Sequence, residues 1–127
     1  MSTILLVEDT PIIREPLARL LQAEGYEVLA AGDGLQANEL LKQRRANLIL
    51  LDVMMPHMDG VAFLESVRGN PMCAELPVIV VTAVLDSQRL NRLRELGVKS
   101  IITKGRFAFD NLMAEVRTHL PVPPLAA

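Results

Sequence analysis

The chain is poor in the residues on which several common classes of protein depend. Of its 127 residues one is cysteine, none is tryptophan and 3% are aromatic. The single cysteine, Cys73, excludes an internal disulfide and a cysteine-based metal cluster, and we expect a passive thiol in a loop. The apolar runs are short, whereas a helix that crosses a bilayer needs roughly 20 apolar residues. The composition therefore predicts neither a disulfide scaffold nor a membrane protein.

Charge of one sign is also lacking. The formal net charge is −2, with acidic and basic residues interspersed. This balance provides no electrostatic basis for holding nucleic acid or an anionic membrane, so we expect neither as a partner. The first residues, Met1-Ser2-Thr3, lead into an apolar run without the basic segment or cleavage site of a signal peptide. We therefore expect a cytoplasmic protein.

What the chain does contain is an alternation of two apolar patterns. Short runs rich in Ile, Val and Leu each predict a strand buried on both faces. These runs are Ile4–Val7, Val28–Ala31, Leu48–Leu51, Val78–Val81 and Ile101–Ile102. Between them, apolar residues at three- and four-residue spacing predict amphipathic helices. Strands alternating with helices predict a parallel sheet with right-handed crossovers, which is an α/β fold of three layers.

The same alternation predicts one domain over residues 1–120, followed by a tail or linker over residues 121–127, where prolines prevent the last helix from continuing. Three glycines follow helical segments and predict left-handed helix ends, and two polar residues predict N-caps. They are Gly25, Gly69 and Gly97, and Thr10 and Asp59. Pro16 lies inside the first helical pattern, so we expect a kink or a late start there.

Polar residues follow the predicted strands at their carboxyl ends. The first strand ends in Glu8-Asp9, the third in Asp52, the fourth in Thr82 and the fifth in Lys104. In open parallel sheets, ligands bind outside this edge at the point where the strand order reverses. For the common order 2-1-3-4-5 that point lies between the first and third strands. We therefore expect three carboxylates in one crevice, beside a hydroxyl and an ammonium group.

Three carboxylates in a partly dry crevice repel one another by on the order of a few kcal/mol per pair. Oxygen ligands without a nearby histidine or cysteine favour Mg²⁺, which completes its shell with waters and phosphate. This site implies phosphoryl chemistry, with Asp52 as the nucleophile and with Mg²⁺, Lys104 and the Thr82 hydroxyl neutralising charge. Taken singly, each residue is more often a turn, cap or surface residue. Their joint placement is what predicts the chemistry.

Five motifs, in order along nearly the whole chain, resemble the receiver domains of two-component response regulators, of the chemotaxis-regulator type. ILLVEDTPIIRE resembles the family's first strand with its acidic pair, and AGDGLQANELL resembles its second loop and helix. LILLDVMMPHMDG resembles the phosphoacceptor strand and loop, and LPVIVVTA and SIITK resemble the strands that end in a hydroxyl and a lysine. The resemblance implies a doubly wound, flavodoxin-like sheet with strand order 2-1-3-4-5.

The resemblance also implies a function. A histidine kinase or phosphotransfer protein would transfer a phosphoryl group to Asp52, and the domain would later hydrolyse its own acyl phosphate. Asp9 and Asp52 would ligate Mg²⁺ directly, Glu8 would act mostly through water, and the backbone carbonyl of Met54 would complete the protein ligands. In this reading the domain is a signalling switch and not an enzyme acting on other substrates.

Thr82 and Lys104 would contact the phosphoryl oxygens in such a domain. The phosphate would draw the Thr82 loop inward and remodel the face formed by the fourth helix, fifth strand and fifth helix. That face would bind a downstream protein and could form a homodimer. Ile101 stands where the family usually has an aromatic residue that swings inward, and we expect this branched side chain to be buried in both states. Gly105 stands where many receivers have a cis proline, and we expect a trans bond because a cis bond would cost about 3 kcal/mol.

Three alternatives can be weighed against this reading, and the site residues rather than the fold distinguish them. The intact chemistry at Asp52 argues against a receiver-like binding module that signals without phosphorylation, but the missing aromatic residue keeps this alternative open. An aspartyl-phosphate phosphatase of the haloacid dehalogenase type would need a second aspartate where Met54 stands. A flavodoxin-like electron carrier would need aromatic rings for its flavin and a hydroxyl-rich phosphate loop where Glu8-Asp9 stands.

Overall fold

The computed structural model describes residues 1–52, 54–55, 58–83, 86–104 and 108–120, with the backbone alone described for Met54, Met55 and Met58. The predictions for Gly105 and for the tail at residues 121–127 lie outside these residues. Within the described residues, no helix is both long enough and apolar enough to span a membrane.

A five-stranded parallel sheet forms the centre of the fold. In chain order its strands are β1 (Thr3–Val7), β2 (Glu27–Ala31), β3 (Leu48–Leu51), β4 (Val78–Thr82) and β5 (Ser100–Thr103). They lie in the order β2-β1-β3-β4-β5, and every neighbouring pair is parallel. The predicted α/β class and the strand order 2-1-3-4-5 are confirmed.

In the described residues, four helices connect the strands and a fifth follows the last strand, and together they cover both faces of the sheet. They are α1 (Pro11–Ala23), α2 (Gly34–Gln43), α3 (Gly60–Gly69), α4 (Ser87–Glu95) and α5 (Ala108–His119). Successive strand residues point to opposite faces, so Leu5 and Ile49 pack with residues of α2, α3 and α4. Ile4 and Leu48 pack with residues of α1 and α5 on the other face. The result is the predicted three-layer sandwich.

Burial of the strands follows their place in the sheet. All residues of the central strands β1 and β3 are buried. In the edge strand β2 only Ala31 is buried, and in β5 only Ile102. The expectation that all five strands are buried on both faces is therefore wrong for the two edges, where the covering helices leave strand residues in contact with water. Ile101, which was expected to be buried, is half-buried against the cluster that contains α3 and α4.

The ends of the helices confirm some of the predicted signals and correct others. The Asp59 carboxylate caps α3 by accepting hydrogen bonds from the backbone N–H groups of Val61 (3.0 Å) and Ala62 (3.4 Å). Gly25 and Gly97 adopt the left-handed conformation with φ of 104° and 73°. Gly69 does not, because it is still the last helical residue of α3 and the chain leaves the helix at Asn70.

The start of α1 also differs from expectation. Thr10 occupies the cap position, but its hydroxyl donates to Asp9 Oδ1 at 3.2 Å and does not cap the helix. The helix begins at Pro11, where a missing N–H costs nothing, and continues through Pro16, so a late start is wrong. Helical structure therefore begins immediately after the acidic pair.

Candidate functional site

Backbone hydrogen bonds hold the ends of the central strands at one edge of the sheet. The N–H of Glu8 donates to the carbonyl of Ala31 at 3.0 Å, and the N–H of Asp52 donates to the carbonyl of Val7 at 3.1 Å. The N–H of Lys104 donates to the carbonyl of Thr82 at 2.6 Å. These bonds extend the parallel ladders by one residue, so the three polar side chains emerge from rigid backbone at the carboxyl edge.

Asp52 and Lys104 form a close ion pair at the centre of the site. Lys104 Nζ lies 2.7 Å from Asp52 Oδ2 and 3.8 Å from Glu8 Oε2. Burial lowers the pKa of Lys104, but the hydrogen bond to Asp52 and the charges of Asp52, Glu8 and Asp9 outweigh this effect and raise the pKa above its usual value. Lys104 is therefore an ammonium ion throughout the physiological range.

Glu8 carries the strongest electrostatic perturbation of the site. Its side chain is only 6% exposed. Burial, followed by the hydrogen bond to Asp52 and the charge of Asp52, raises the pKa of Glu8 to about 7, although Lys104 and the N–H of Thr10 act in the opposite direction. The repulsion between carboxylates that the sequence implied is thus present between these two residues.

The hydroxyl of Thr82 has no hydrogen-bond partner within the described residues, although its side chain is only 1% exposed. A buried polar atom without a partner is unfavourable, so such an atom often indicates a ligand. Asp9, in contrast, is half-buried and accepts a hydrogen bond from the hydroxyl of Thr10. The site thus combines two buried carboxylates, one less buried carboxylate, an ammonium group and an unused hydroxyl donor.

Met54 follows Asp52 by two residues, and its backbone belongs to a short feature that the sequence did not predict. Met54–Met55 and Met58–Asp59 pair as a two-residue antiparallel ribbon. In the described parts of the chain, no group of three or more His, Cys, Asp and Glu side chains is arranged to hold a metal ion by itself. Mg²⁺ does not require one, because it usually binds one or two carboxylates and retains several waters.

Sequence reasoning missed Arg14, which contacts the acidic loop, and Gly32, which lies next to the Arg14 side chain. Arg14 on α1 donates from Nη1 to the backbone carbonyl of Glu8 at 2.8 Å. A Cβ atom on Gly32, after β2, would lie 3.0 Å from the same nitrogen. The acceptor of Arg14 is a backbone carbonyl, which the residue types do not reveal. The only available signal in the sequence was an arginine in the first turns after an acidic pair.

Comparison with known proteins identifies the family. Residues 4–117 match the family described as the response regulator receiver domain. The chain belongs to this family. This receiver domain is 36% identical over 118 residues to a probable transcriptional regulator, ycf27, of Porphyridium aerugineum, covering 92% of this chain and 47% of the relative. It therefore spans about half the length of curated relatives that it matches.

Solved structures of other receivers share the fold. One is the receiver domain of a signal transduction histidine kinase from Syntrophus aciditrophicus, with 31% identity and a TM-score of 0.82 over 100% of this chain and 98% of that one. Another is the response regulator TrrA of Thermotoga maritima in complex with Mg²⁺ and BeF, with 32% identity and a TM-score of 0.79 over 94% and 100%. Family membership separates this chain from the phosphatase and the flavodoxin-like carrier considered above.

Proposed function

We propose that this receiver domain accepts a phosphoryl group on Asp52 from a histidine of a sensor kinase or phosphotransfer protein. The observation that carries the proposal is the 2.7 Å contact of Asp52 with Lys104, together with the buried Thr82 hydroxyl, which has no hydrogen-bond partner within the described residues. A nucleophilic carboxylate, a permanent cation and an unused donor are the groups that phosphoryl transfer requires from a protein.

The transfer forms one bond and breaks another. An oxygen of Asp52 bonds to phosphorus as the P–N bond of the phosphohistidine breaks, and the imidazole leaves. Lys104 stays charged because its pKa is raised, so it can move from Asp52 Oδ2 to a phosphoryl oxygen without losing a proton. The Thr82 hydroxyl then gains an acceptor, which removes the cost of its isolation.

The residues of the site fit Mg²⁺, because every available donor is an oxygen. Asp9 and Asp52 would hold the ion directly, Glu8 through water, and Met54 through its backbone carbonyl. When bound, the ion neutralises charge on the phosphoryl oxygens. The TrrA neighbour, whose structure is described as a complex with Mg²⁺ and BeF, supports this assignment.

The output of the switch would be a change in protein binding. Thr82 ends β4, and its neighbour in the sheet is Thr103 of β5, two residues after Ile101. Movement of Thr82 toward the phosphate would therefore be transmitted to β5, with Ile101 in place of an aromatic reporter, and to the α4–β5–α5 face. We assign to this face a downstream protein or a second copy of the chain, in the cytoplasm, with residues 1–120 as the functional unit. Hydrolysis of the acyl phosphate at the same site would reset the switch.

The test is phosphorylation by a small donor. The protein is incubated with acetyl phosphate or phosphoramidate, with Mg²⁺ or with EDTA, and its intact mass is measured. We expect the mass of one phosphoryl group to be added in the presence of Mg²⁺ and not in EDTA, and to be absent from Asp52→Asn. Asp110→Asn, an exposed carboxylate on α5, is the matched control and should be modified like the wild type.

The alternative is a binding module that works without phosphorylation, which the half-buried Ile101 in the usual aromatic position favours. It predicts that Asp52→Asn binds its target as the wild type does, whether or not a phosphodonor is present. A metal-dependent mass increment together with a phosphodonor-dependent change in binding would exclude this alternative.

A further inference from the structure

The hydrogen-bond ladder between β1 and β2 ends at the acidic pair in an unusual way. The N–H of Glu8 donates to the carbonyl of Ala31. In a regular parallel ladder, the carbonyl of Glu8 would next accept from the N–H two residues beyond Ala31, which belongs to Asp33. The carbonyl accepts instead from Arg14 Nη1 at 2.8 Å. The guanidinium thus replaces a strand donor at the point where the strands separate.

Asp33, whose N–H would continue the ladder, instead begins the turn from β2 into α2. Its side chain caps α2 by accepting from the N–H of Gln36 at 2.8 Å. The side chain of Gln36 in turn accepts from the N–H of Gly32 at 2.6 Å. The β2–α2 turn is therefore closed on itself, and the strand end of Glu8 depends on Arg14 for its last hydrogen bond.

Gly32 provides the space for this arrangement. A Cβ atom at residue 32 would lie 3.0 Å from Arg14 Nη1 and 3.4 Å from Gln36 Oε1. Gly32 does not have a positive φ, so the left-handed conformation is not the reason for a glycine here. A Cβ atom at this position would instead press on the guanidinium of Arg14.

We propose that Arg14 is a positioning residue that fixes the Glu8–Asp9 peptide, and with it the carboxylates that bind Mg²⁺, by completing the β1 ladder over Gly32. The proposal rests on the function proposed above and concerns the same site. Arg14 would strengthen Mg²⁺ binding through its hydrogen bond to the backbone, whereas its positive charge alone would weaken Mg²⁺ binding. A cation near a Mg²⁺ site weakens binding by repulsion, whereas a residue that orders the ligands strengthens it.

The experiment is a Mg²⁺ titration of the full chain by calorimetry, without a phosphodonor. We expect Arg14→Ala to weaken Mg²⁺ binding by about tenfold, as is typical when a residue that orients metal ligands is lost. Gly32→Ala changes no charge and should weaken binding several-fold by displacing the guanidinium. In the Arg14→Ala background the same substitution should have no further effect, because the space is then empty. Arg19→Ala, an exposed arginine on the same helix, is the control and should bind like the wild type.

The outcomes separate the two proposals. Unchanged or tighter Mg²⁺ binding by Arg14→Ala overturns the positioning role while the proposed function stands. A lower free energy of unfolding in urea with unchanged Mg²⁺ affinity also overturns it, because that result describes a purely structural arginine. Additive effects of the two substitutions would show that Gly32 does not act through Arg14. A wild-type protein that binds no Mg²⁺ overturns both proposals. If Arg14→Ala does not fold, the Mg²⁺ affinities of Gly32→Ala and Arg14→Lys are measured instead. If both variants bind Mg²⁺ as tightly as the wild type, Arg14 is not a positioning residue.

Discussion

Arg68 is the side chain with the most widely spread hydrogen bonds in the described structure, and its removal should cost the most stability outside the core. From the last turn of α3 its guanidinium donates to the carbonyls of Leu96 at 2.7 Å, Leu76 at 2.6 Å and Ala74 at 3.1 Å, with a longer contact to Gly97 at 3.4 Å. It therefore binds the end of α4 and the loop before β4 to α3. Burial lowers the pKa of Arg68, but an arginine stays charged.

The loss of stability in Arg68→Ala can be worked out from the backbone carbonyls that lose their hydrogen-bond donor. Three of the four contacts have good hydrogen-bond distances, and each contributes about 1 kcal/mol net. The carbonyls at the end of α4 have no partner within the helix, so they depend on an outside donor or on water. Because Arg68 is half-buried, water can replace part of what is lost. We therefore expect Arg68→Ala to lower the free energy of unfolding by about 2–4 kcal/mol. Arg68→Lys should lose roughly half as much, since an ammonium group cannot reach all the acceptors.

The assay is equilibrium unfolding in urea at neutral pH, followed by far-UV circular dichroism. Arg19→Ala is the control, with an expected change within about 0.5 kcal/mol because its side chain is exposed. Hydrogen exchange should show faster opening of the last turn of α4 in Arg68→Ala, and little change in β1. A loss of stability for Arg68→Ala no greater than that for Arg19→Ala would show that these hydrogen bonds do not stabilise the fold.

Three further predictions concern the site. The buried Thr82 hydroxyl has no hydrogen-bond partner in the part of the chain that the structure describes. Thr82→Val should therefore raise the free energy of unfolding without a phosphodonor by about 1 kcal/mol and should slow phosphorylation; destabilisation in urea would contradict this. The pKa of Glu8 is raised from 4.5 to about 7 in the folded state, so its contribution to stability is present below pH 4.5 and is lost as the pH rises through about 7. The free energy of unfolding is therefore measured in urea with EDTA at pH 5 and at pH 8. From pH 5 to pH 8 the wild type should lose on the order of 2 kcal/mol more than Glu8→Gln does. Equal losses in the two proteins would count against the raised pKa of Glu8. Lys104→Met should phosphorylate more slowly, or show a weaker structural response, while circular dichroism shows an intact fold; unchanged phosphorylation with an unchanged response would remove the role assigned to Lys104.

Much of the fold could be predicted because strong patterns determine it. The run Leu48–Leu51 is apolar on both sides, and the observed strand β3 has the same bounds. The edge strands were harder, since an edge strand and a central strand can both be rich in Val, Leu and Ala. Whether Val28 is covered depends on which strand is its neighbour, which is a property of the whole sheet. Gly69 shows the same limit, because a glycine can end a helix in the left-handed conformation or simply be its last residue.

The site divides in a similar way. The placement of Glu8, Asp52 and Lys104 at one edge follows from strand ends that can be read along the chain, although their roles remain predictions. The contacts of Arg14 and Arg68 could not be predicted, because both arginines donate to backbone carbonyls, which every residue carries. For Arg68 an acceptor lies 28 positions away in sequence. Only the packing of the helices against the sheet brings such groups together.

Whether Asp52 is the residue that is phosphorylated can be determined by locating the modified residue. After reaction with acetyl phosphate and Mg²⁺, borohydride reduces an acyl phosphate to an alcohol, which converts the phosphorylated aspartate to homoserine. Peptide mass spectrometry then identifies the converted position. We predict homoserine at position 52, dependent on Mg²⁺ and on the phosphodonor. Homoserine at another aspartate, or at none, would contradict it.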